Sequence, residues 1–370
     1  MPGTRHDSGR AHRAFALPAL RPGADIRHVP QRQRPRSPPI ASSLSPAIEW
    51  RQQAREQLAA GPFDVLIVGG GITGAGIARD AALRGFTVAL VERDDFAGGT
   101  SSRSSRLVHG GVRYLEHGYL KLVFEASRER RTLLRIAPHL VRPLQFTWPV
   151  YRGSRIPRWK LRAGLALYDA LATFRNVGRH RGLSRDAVLA AEPALGQDGL
   201  TGGAAYWDAA TDDAALTLAN ILDARAAGAV VLNHAGLQSL VLERDRVVGA
   251  LARDELNGTL VRIRATVVVN ATGPWTDAIR RMEDPYTAPA VLGTKGVHIA
   301  VPADRVGNRA AVTMLSPVDG RVMFCLPGMD QTIIGTTDTH TNARPAEVRA
   351  NRDDVHYLLE SANGFTSAKS

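Results

Sequence analysis

The chain has 370 residues, of which 44% are apolar and 22% are charged, a composition typical of a soluble globular protein with two domains. One cysteine, Cys325, excludes a disulfide framework and any multi-cysteine metal or iron–sulfur site, and we expect no bound metal. Because no run of about 18 uncharged apolar residues occurs, we expect no transmembrane helix. The formal net charge of +12 leaves three kinds of partner open: nucleic acid, an anionic membrane and a phosphorylated substrate.

Residues 1–57 are predicted to be a disordered, basic, proline-rich extension. The first 50 residues hold eight arginines, three acidic residues and eight of the 21 prolines, without a sustained apolar period. An arginine-rich, acid-poor leader is typical of a transit peptide, but proline and glycine oppose the amphipathic helix that such a peptide needs. We favour a non-native or mis-started leader, with globular sequence beginning near Ala54–Gly61.

A dinucleotide-binding fingerprint begins at the next apolar run. Residues 64–68 predict a strand, and the GGGITG motif at residues 69–74 fits the G-x-G-x-x-G pattern. Residues 75–84 predict a helix closed by Gly85, and residues 87–91 predict a second strand. This order of elements is what a nucleotide-binding βαβ unit requires.

The glycines and one carboxylate of this unit indicate its ligand. Gly69, Gly71 and Gly74 permit a tight turn and a close approach to a pyrophosphate, which the helix N-terminus attracts. Glu92 follows the second strand, where a carboxylate accepts hydrogen bonds from an adenosine ribose and repels a 2′-phosphate. The ligand is therefore NAD or FAD.

Two further segments are predicted to lie near this cofactor. Residues 266–270 form a buried-strand pattern that runs into Ala271 and Gly273, where small side chains allow close backbone approach. Residues 100–116, TSSRSSRLVHGGVRYLE, are rich in hydroxyls and also carry a histidine and an arginine. His109 can accept a proton at neutral pH, and Arg113 offers a planar donor fork for a phosphate or carboxylate.

These motifs resemble the FAD-dependent glycerol-3-phosphate dehydrogenase family, the respiratory enzymes that pass electrons to quinone. The resemblance covers roughly residues 58–360 and rests on motifs in the family's order: GGGITGAGIARDAALRG, TSSRSSRLVHGGVRYLEHG, EASRERRTLLRIAPHLVRP, DDAALTLAN, VVNATGPW, LGTKGVHI and IIGTTD. It implies an α/β fold, in which a Rossmann-like, glutathione-reductase-like FAD-binding domain carries an inserted α+β substrate-binding domain.

The implied domain layout is discontinuous. The FAD-binding domain is expected at residues 58–135 and 200–285, with a return at residues 332–370. The substrate domain is expected at residues 136–199 and 286–331. Within it, residues 321–327 and a run that begins at residue 331 are predicted to be paired strands, and Cys325 is predicted to be a core residue.

The resemblance also implies which residues contact FAD. The fingerprint turn holds the pyrophosphate, the acidic residue holds the adenosine ribose, and the Thr/Ser-rich motif lines the flavin side. The implied FAD contacts are Gly69, Gly71, Gly74, Glu92, Thr100, Ser101, Ser102, Ser105, Ala271 and Gly273.

For the substrate, the resemblance implies a pocket near the flavin ring. His109, Arg113 and Tyr114 are expected there, and Lys295 and His298 are expected to face the same pocket from the substrate domain. Oxidation of a secondary alcohol needs a base, for which His109 and His298 both remain candidates. Arg113 and Lys295 are the expected clamps for the phosphate of glycerol 3-phosphate.

A basic and aromatic segment, residues 152–168, indicates contact with a membrane surface. Its alternative is a solvated basic connection that leads into a core helix. The arginines at 128, 130, 131 and 135 alternate with glutamates and are predicted to be a solvated helix face. Because no basic groove with interleaved aromatics occurs, we reject nucleic acid as a partner.

The implied function is oxidation of sn-glycerol 3-phosphate to dihydroxyacetone phosphate, with quinone as electron acceptor, in a cytoplasmic enzyme on the inner face of the plasma membrane. One alternative is an oxidase that uses oxygen. The other is an inactive truncated fragment, because the family's later SGVRPL-like motif, which carries an arginine, and its final flavin contact are absent from the chain.

Overall fold

The computed structural model describes residues 46–172 and 176–366. Within them nine α-helices form, namely Pro46–Ala60 (α1), Ile72–Leu83 (α2), Leu120–Ile136 (α3), Arg158–Leu171 (α4), Arg185–Ala191 (α5), Asp213–Ala226 (α6), Thr276–Glu283 (α7), Ala303–Val306 (α8) and Arg352–Asn363 (α9). The strands are Phe63–Val68 (β1), Val88–Val91 (β2), Leu107–Val108 (β3), Val141–Tyr151 (β4), Arg181–Leu183 (β5), Leu200–Thr211 (β6), Val230–Leu232 (β7), Ala235–Glu243 (β8), Arg246–Asp254 (β9), Leu260–Asn270 (β10), Thr294–Lys295 (β11), His298–Pro302 (β12), Ala311–Leu315 (β13), Val322–Pro327 (β14), Gln331–Gly335 (β15) and Thr339–His340 (β16).

The first sheet has six strands in the order β7–β2–β1–β10–β9–β8. Strands β7, β2, β1 and β10 run parallel, and β10, β9 and β8 continue as an antiparallel meander. Because parallel strands end at the same edge, Val68 aligns there with Val91 and with Asn270. This edge therefore presents the three segments that follow β1, β2 and β10, and the predicted α/β class is confirmed.

Helix α2 packs on this sheet through small side chains. Ala75, Ala78 and Ala82 are buried in one cluster with Ile67 and Leu90. Alanine lets a helix axis approach a sheet closely, so the first turn of α2 lies directly above the strand ends. The sequence pattern places the helix correctly, although it begins three residues earlier than predicted.

Helix α1 shows that ordered structure begins before the predicted start of the globular sequence. Residues 46–57, assigned above to a disordered extension, belong to this helix, and Leu58 is fully buried in the core of the first sheet. Arg51 and Arg55 each donate to the buried carboxylate of Asp254 at 2.7 Å. These pairs join residues 203 and 199 positions apart, which local composition cannot reveal. Residues 1–45 of the predicted extension lie outside the described residues.

The second sheet runs β12–β15–β14–β13–β4–β6–β3, with β5 also paired to β6. Helices α3 and α4 pack on it and bury Val123 and Leu165 in one cluster with Phe146. The two edge strands approach each other, because Ser105, just before β3, hydrogen-bonds to His298, the first residue of β12. This closure brings the serine-rich segment to the second sheet.

The predicted domain boundaries differ from this division in three places. Strand β3 and helix α3, within the predicted segment 58–135, belong with the second sheet. Strand β6, within 200–285, is one of its interior strands, and β15, at the start of the predicted return 332–370, is another. Helix α9 also buries Leu358 in this core. Apolar strand patterns do not say which sheet a strand joins, because its pairing partners are distant in sequence.

Two smaller predictions for the second sheet have opposite outcomes. Strands β14 and β15 form the predicted antiparallel pair, and Cys325 is a core residue, where burial raises the pKa of its thiol to about 12. Arg130, predicted to lie on a solvated helix face, is instead only 3% exposed. At the surface of α3, Lys121 pairs with Glu125 at i,i+4 and Arg128 pairs with the adjacent Glu129, but helix amphipathicity alone did not reveal an arginine with a buried partner.

Candidate cofactor and substrate site

The fingerprint turn is tight for a steric reason. Gly69 has a φ of +111°, which favours glycine, and a Cβ there would overlap the carbonyl oxygen of Ala271. A Cβ at Gly74 would overlap the carbonyl oxygen of Gly69. Two of the three predicted glycines are therefore required by the approach of β1, β10 and α2 to one another.

The third glycine borders open space at the start of the helix. Gly71 is the N-cap of α2 and supplies no side-chain cap, and a Cβ there would contact only the Ser101 hydroxyl, at 3.2 Å. The Ile72 N–H donates to the same Ser101 oxygen at 2.9 Å. Apart from Ile72, whose N–H is bound by Ser101, the start of a helix offers backbone donors to an anion, so this turn fits a pyrophosphate.

Glu92 is held in place at the end of β2. Its carboxylate accepts the Gly70 N–H at 2.7 Å and the Asp94 N–H at 2.8 Å. The fixed carboxylate stands beside the fingerprint turn, as a ribose-binding group must. The position thus fits the adenosine side of a dinucleotide.

The turn Ala271–Thr272–Gly273, which follows β10, completes this edge of the first sheet. Ala271 donates its N–H to the Val68 carbonyl at 2.9 Å, and a Cβ at Gly273 would meet no heavy atom within 4 Å. Beside it, the guanidinium of Arg93 lies 4.9 Å from the ring centre of Trp275. No role was predicted for this stacked pair, although Arg93 directly follows Glu92 and Trp275 ends the VVNATGPW motif. Together the three segments fit a flavin dinucleotide.

The serine-rich segment connects the cofactor edge to the second sheet. Ser101 contacts the fingerprint turn, as described, and Ser102 donates back to the Gly99 carbonyl at 3.3 Å, within a 3-10 turn that begins at Thr100. Ser105 points the other way, toward the second sheet. Of the predicted FAD-binding hydroxyls, the structure therefore places Ser101 at the turn and directs Ser105 to a histidine.

His298 is that histidine. Its Nε2 lies 2.8 Å from the Ser105 hydroxyl, and its ring packs against Gly335, where any Cβ would overlap it. Burial lowers the pKa of His298, while the negative charge of Asp213 opposes the shift. A half-buried neutral imidazole with one nitrogen engaged by a hydroxyl can act as a proton acceptor.

We expect the lowered pKa of His298 to be visible in solution. Burial disfavours the imidazolium, so the ring should titrate below the ordinary value of 6.5, and folding stability should fall as the pH drops from 6.5 toward the lower folded-state pKa. Imidazole NMR signals, assigned with His298→Asn, measure this midpoint. A His298 midpoint at or above 6.5 would contradict the structure.

His109, Arg113 and Tyr114 lie on the segment that follows β3. His109 is exposed, and Arg113 stacks with its guanidinium 5.6 Å from the ring centre of Tyr114. Among the described residues, no hydrogen bond joins His109 to His298 or to Arg113. The structure thus brings Ser105 and His298 together directly and leaves His109 exposed and Arg113 half-buried on the same segment.

Lys295 differs most from its expected role. Its ammonium group pairs with the carboxylate of Asp354, and the two side chains are 11% and 5% exposed. Asp354 also closes a capping box with Asn351 at the start of α9. A lysine neutralised in this way is not a free phosphate clamp. The N-x-x-D capping pattern at 351–354 was a signal for Asp354, but nothing local links it to Lys295.

Comparison with known proteins assigns the chain to a family. A family model described as FAD dependent oxidoreductase matches residues 64–368. Glycerol-3-phosphate dehydrogenase 2 of Mycobacterium tuberculosis is 42% identical over 331 residues, covering 87% of this chain and 54% of that protein. The mitochondrial glycerol-3-phosphate dehydrogenase of Homo sapiens is 40% identical over 320 residues, covering 82% of this chain and 43% of that protein. The chain spans about half the length of these relatives.

A solved structure supports the same assignment. The glycerol-3-phosphate dehydrogenase from Bacillus halodurans, determined in complex with FAD, is similar with a TM-score of 0.72 and 35% identity. The similarity covers 86% of this chain and 56% of that one. The family match spans the fingerprint turn, the serine-rich segment and both sheets. The chain belongs to the FAD dependent oxidoreductase family.

Proposed function

We propose that this site oxidises sn-glycerol 3-phosphate to dihydroxyacetone phosphate. The observation that supports the proposal best is the Ser105–His298 contact, in which a candidate proton acceptor from β12 meets the segment whose Ser101 borders the fingerprint turn. The named relatives and the FAD complex from Bacillus halodurans support the same substrate and cofactor. In this proposal the cofactor-binding residues are Gly69, Gly71, Gly74, Glu92, Thr100, Ser101, Ser102, Ala271 and Gly273.

The residues of this chain divide the work of the reaction. His298 accepts the proton of the substrate hydroxyl at the ring nitrogen that Ser105 does not engage. Ser105, bound to Nε2, fixes the orientation of the ring. Arg113, with Tyr114 beneath it, presents a fork of donors to the dianionic phosphate. Bound FAD supplies the acceptor for the two electrons of the hydride. His109 is the competing candidate for the base, because it lies on the same segment as Arg113.

Anaerobic reduction of bound flavin tests this proposal. We expect the flavin absorbance of the reconstituted chain to bleach with sn-glycerol 3-phosphate, and not with glycerol or with the enantiomeric phosphate. Retained flavin that none of these compounds reduces would contradict it. Reoxidation by a short-chain quinone rather than by oxygen distinguishes a dehydrogenase from an oxidase, and a chain that binds no flavin at all indicates an inactive fragment.

We further propose that electrons pass to quinone at the inner face of the plasma membrane, where helix α4 and the residues before it provide the contact. Within the described ranges, no helix is both long and apolar enough to cross a bilayer. Trp159 is 73% exposed and Leu167 is 43% exposed, and the basic residues Lys160 and Arg162 are exposed beside them. An apolar face flanked by cations is the pattern of a helix that lies on anionic lipid.

Charge and apolar variants on α4 test the membrane contact. We expect Trp159→Ala combined with Lys160→Gln and Arg162→Gln to weaken binding to phosphatidylglycerol vesicles by roughly tenfold or more, since each cation near such a surface contributes about 1 kcal/mol. Cosedimentation measures the bound fraction. The control is the double variant Arg244→Gln and Arg246→Gln. It removes two exposed positive charges where β8 turns into β9, away from α4. Equal losses in both variants would show that net charge alone decides binding.

A further inference from the structure

We propose that a buried cluster of three side chains, Arg130, Tyr168 and Asp208, positions the His109–Gly111 loop and thereby orients Arg113 toward the substrate. We call these three residues the loop cluster. The substrate part of the proposal rests on the proposed function; the positioning part does not.

The loop cluster joins three elements directly beneath the loop. Arg130 comes from α3, Tyr168 from α4 and Asp208 from β6, and their exposed fractions are 3%, 0% and 2%. Oδ1 of Asp208 accepts the Tyr168 hydroxyl at 2.7 Å and the Arg130 guanidinium. The same oxygen accepts the backbone N–H of Gly110 at 2.9 Å. The carboxylate therefore binds the loop backbone and the two helices at one point.

Steric contact reinforces this hydrogen bond. Gly110 is buried, and a Cβ there would overlap the hydroxyl of Tyr168 and lie 2.6 Å from the hydroxyl of Ser127. Tyr168, the nearest of these neighbours, is itself a member of the loop cluster. The loop rests on these side chains with no room for any other residue at Gly110.

The energetics favour a positioning role over a purely stabilising one. A buried ion pair seldom contributes more stability than apolar residues of the same size would, whereas it does demand one geometry from its partners. Nη2 of Arg130 donates to Asn176 Oδ1, and Nη1, which donates to Asp208, also lies 3.4 Å from the Trp207 carbonyl. Because Arg130 and Tyr168 hold the Asp208 carboxylate in one position, the Gly110 N–H can bind it in only one position of the loop.

The position of the loop is transmitted to Arg113. Gly111 adopts a φ of +79° and begins the 3-10 turn Val112–His117, which contains Arg113. A loop released at Gly110 would change the start of this turn, and with it the direction of the guanidinium. His109, adjacent to Gly110, would move with it. The cluster thus acts through the loop without contacting the substrate.

Hydrogen exchange of the full chain tests whether the loop cluster holds the His109–Gly111 loop in place. We expect Asp208→Ala and Asp208→Asn to raise backbone exchange in peptides covering residues 107–116 by roughly tenfold, with the smaller effect in Asn because its amide oxygen still accepts. Asp254→Asn is the matched control, since Asp254, in β9 of the first sheet, is an equally buried carboxylate that pairs with two arginines of α1. Exchange at 107–116 no faster in the Asp208 variants than in this control overturns the proposal.

Kinetics test the substrate part separately. In the flavin-loaded protein we expect Asp208→Asn to raise KM for sn-glycerol 3-phosphate roughly tenfold with a smaller change in kcat, because a misdirected Arg113 loses phosphate binding. Asp254→Asn should leave KM unchanged. Faster exchange with an unchanged KM overturns the link to Arg113. If the unmutated protein does not oxidise this substrate, the proposed function fails. The exchange experiment still decides whether the loop cluster positions the His109–Gly111 loop.

Discussion

Gly74→Ala is expected to yield protein without bound flavin. The added methyl would overlap the Gly69 carbonyl oxygen, a backbone atom that no rotamer change can move away. Relief requires α2 to shift from β1, which costs about 3 kcal/mol at the upper end of overpacking effects and displaces the helix N-terminus from the turn. The ratio of flavin to protein absorbance after reconstitution measures the outcome.

The same helix provides a matched control for this substitution. A Cβ at Gly76 meets no heavy atom within 4 Å, so Gly76→Ala adds a methyl group to α2 without a clash. This variant should keep its flavin and gain roughly 0.5–1 kcal/mol of unfolding free energy from helix propensity. Full flavin content in Gly74→Ala would show that the turn is not the pyrophosphate site.

His298→Asn is expected to slow substrate-dependent flavin reduction by roughly 100-fold or more, the usual contribution of a positioned general base. Asparagine can still meet the Ser105 hydroxyl and fits in front of Gly335, so the pocket should retain its shape. Flavin content should remain that of the unmutated protein. Ser105→Ala should slow reduction less, by about tenfold, because it removes only the hydrogen bond that orients the ring.

The variant His109→Asn decides between the two candidate bases. His109 is exposed and makes no hydrogen bond to His298, so its loss should reduce the rate constant far less than the loss of His298. Stopped-flow absorbance measures each rate constant at saturating substrate. A larger effect at His109 would reverse the assignment and make His298 a structural partner of Ser105.

Three strands of the first sheet, β1, β2 and β10, could be predicted from the sequence because their signals are local. The run before Gly69, the glycine spacing and the carboxylate at Glu92 all lie within about thirty residues, and each has one steric or electrostatic meaning. The structure places these groups at one edge, as parallel strands require. The resemblance then separated FAD from NAD, which the residues themselves had left open.

The sequence by itself therefore determined the α/β class, the cofactor edge and the segment that carries the candidate chemistry. Only the tertiary structure decided that β6 belongs to the second sheet, that Asp354 neutralises Lys295, and that Arg130 is buried against Asp208. Each of these depends on a partner dozens of residues away. The residues next to a strand or a charged side chain do not indicate which group will pair with it, because the partner comes close only when the chain folds.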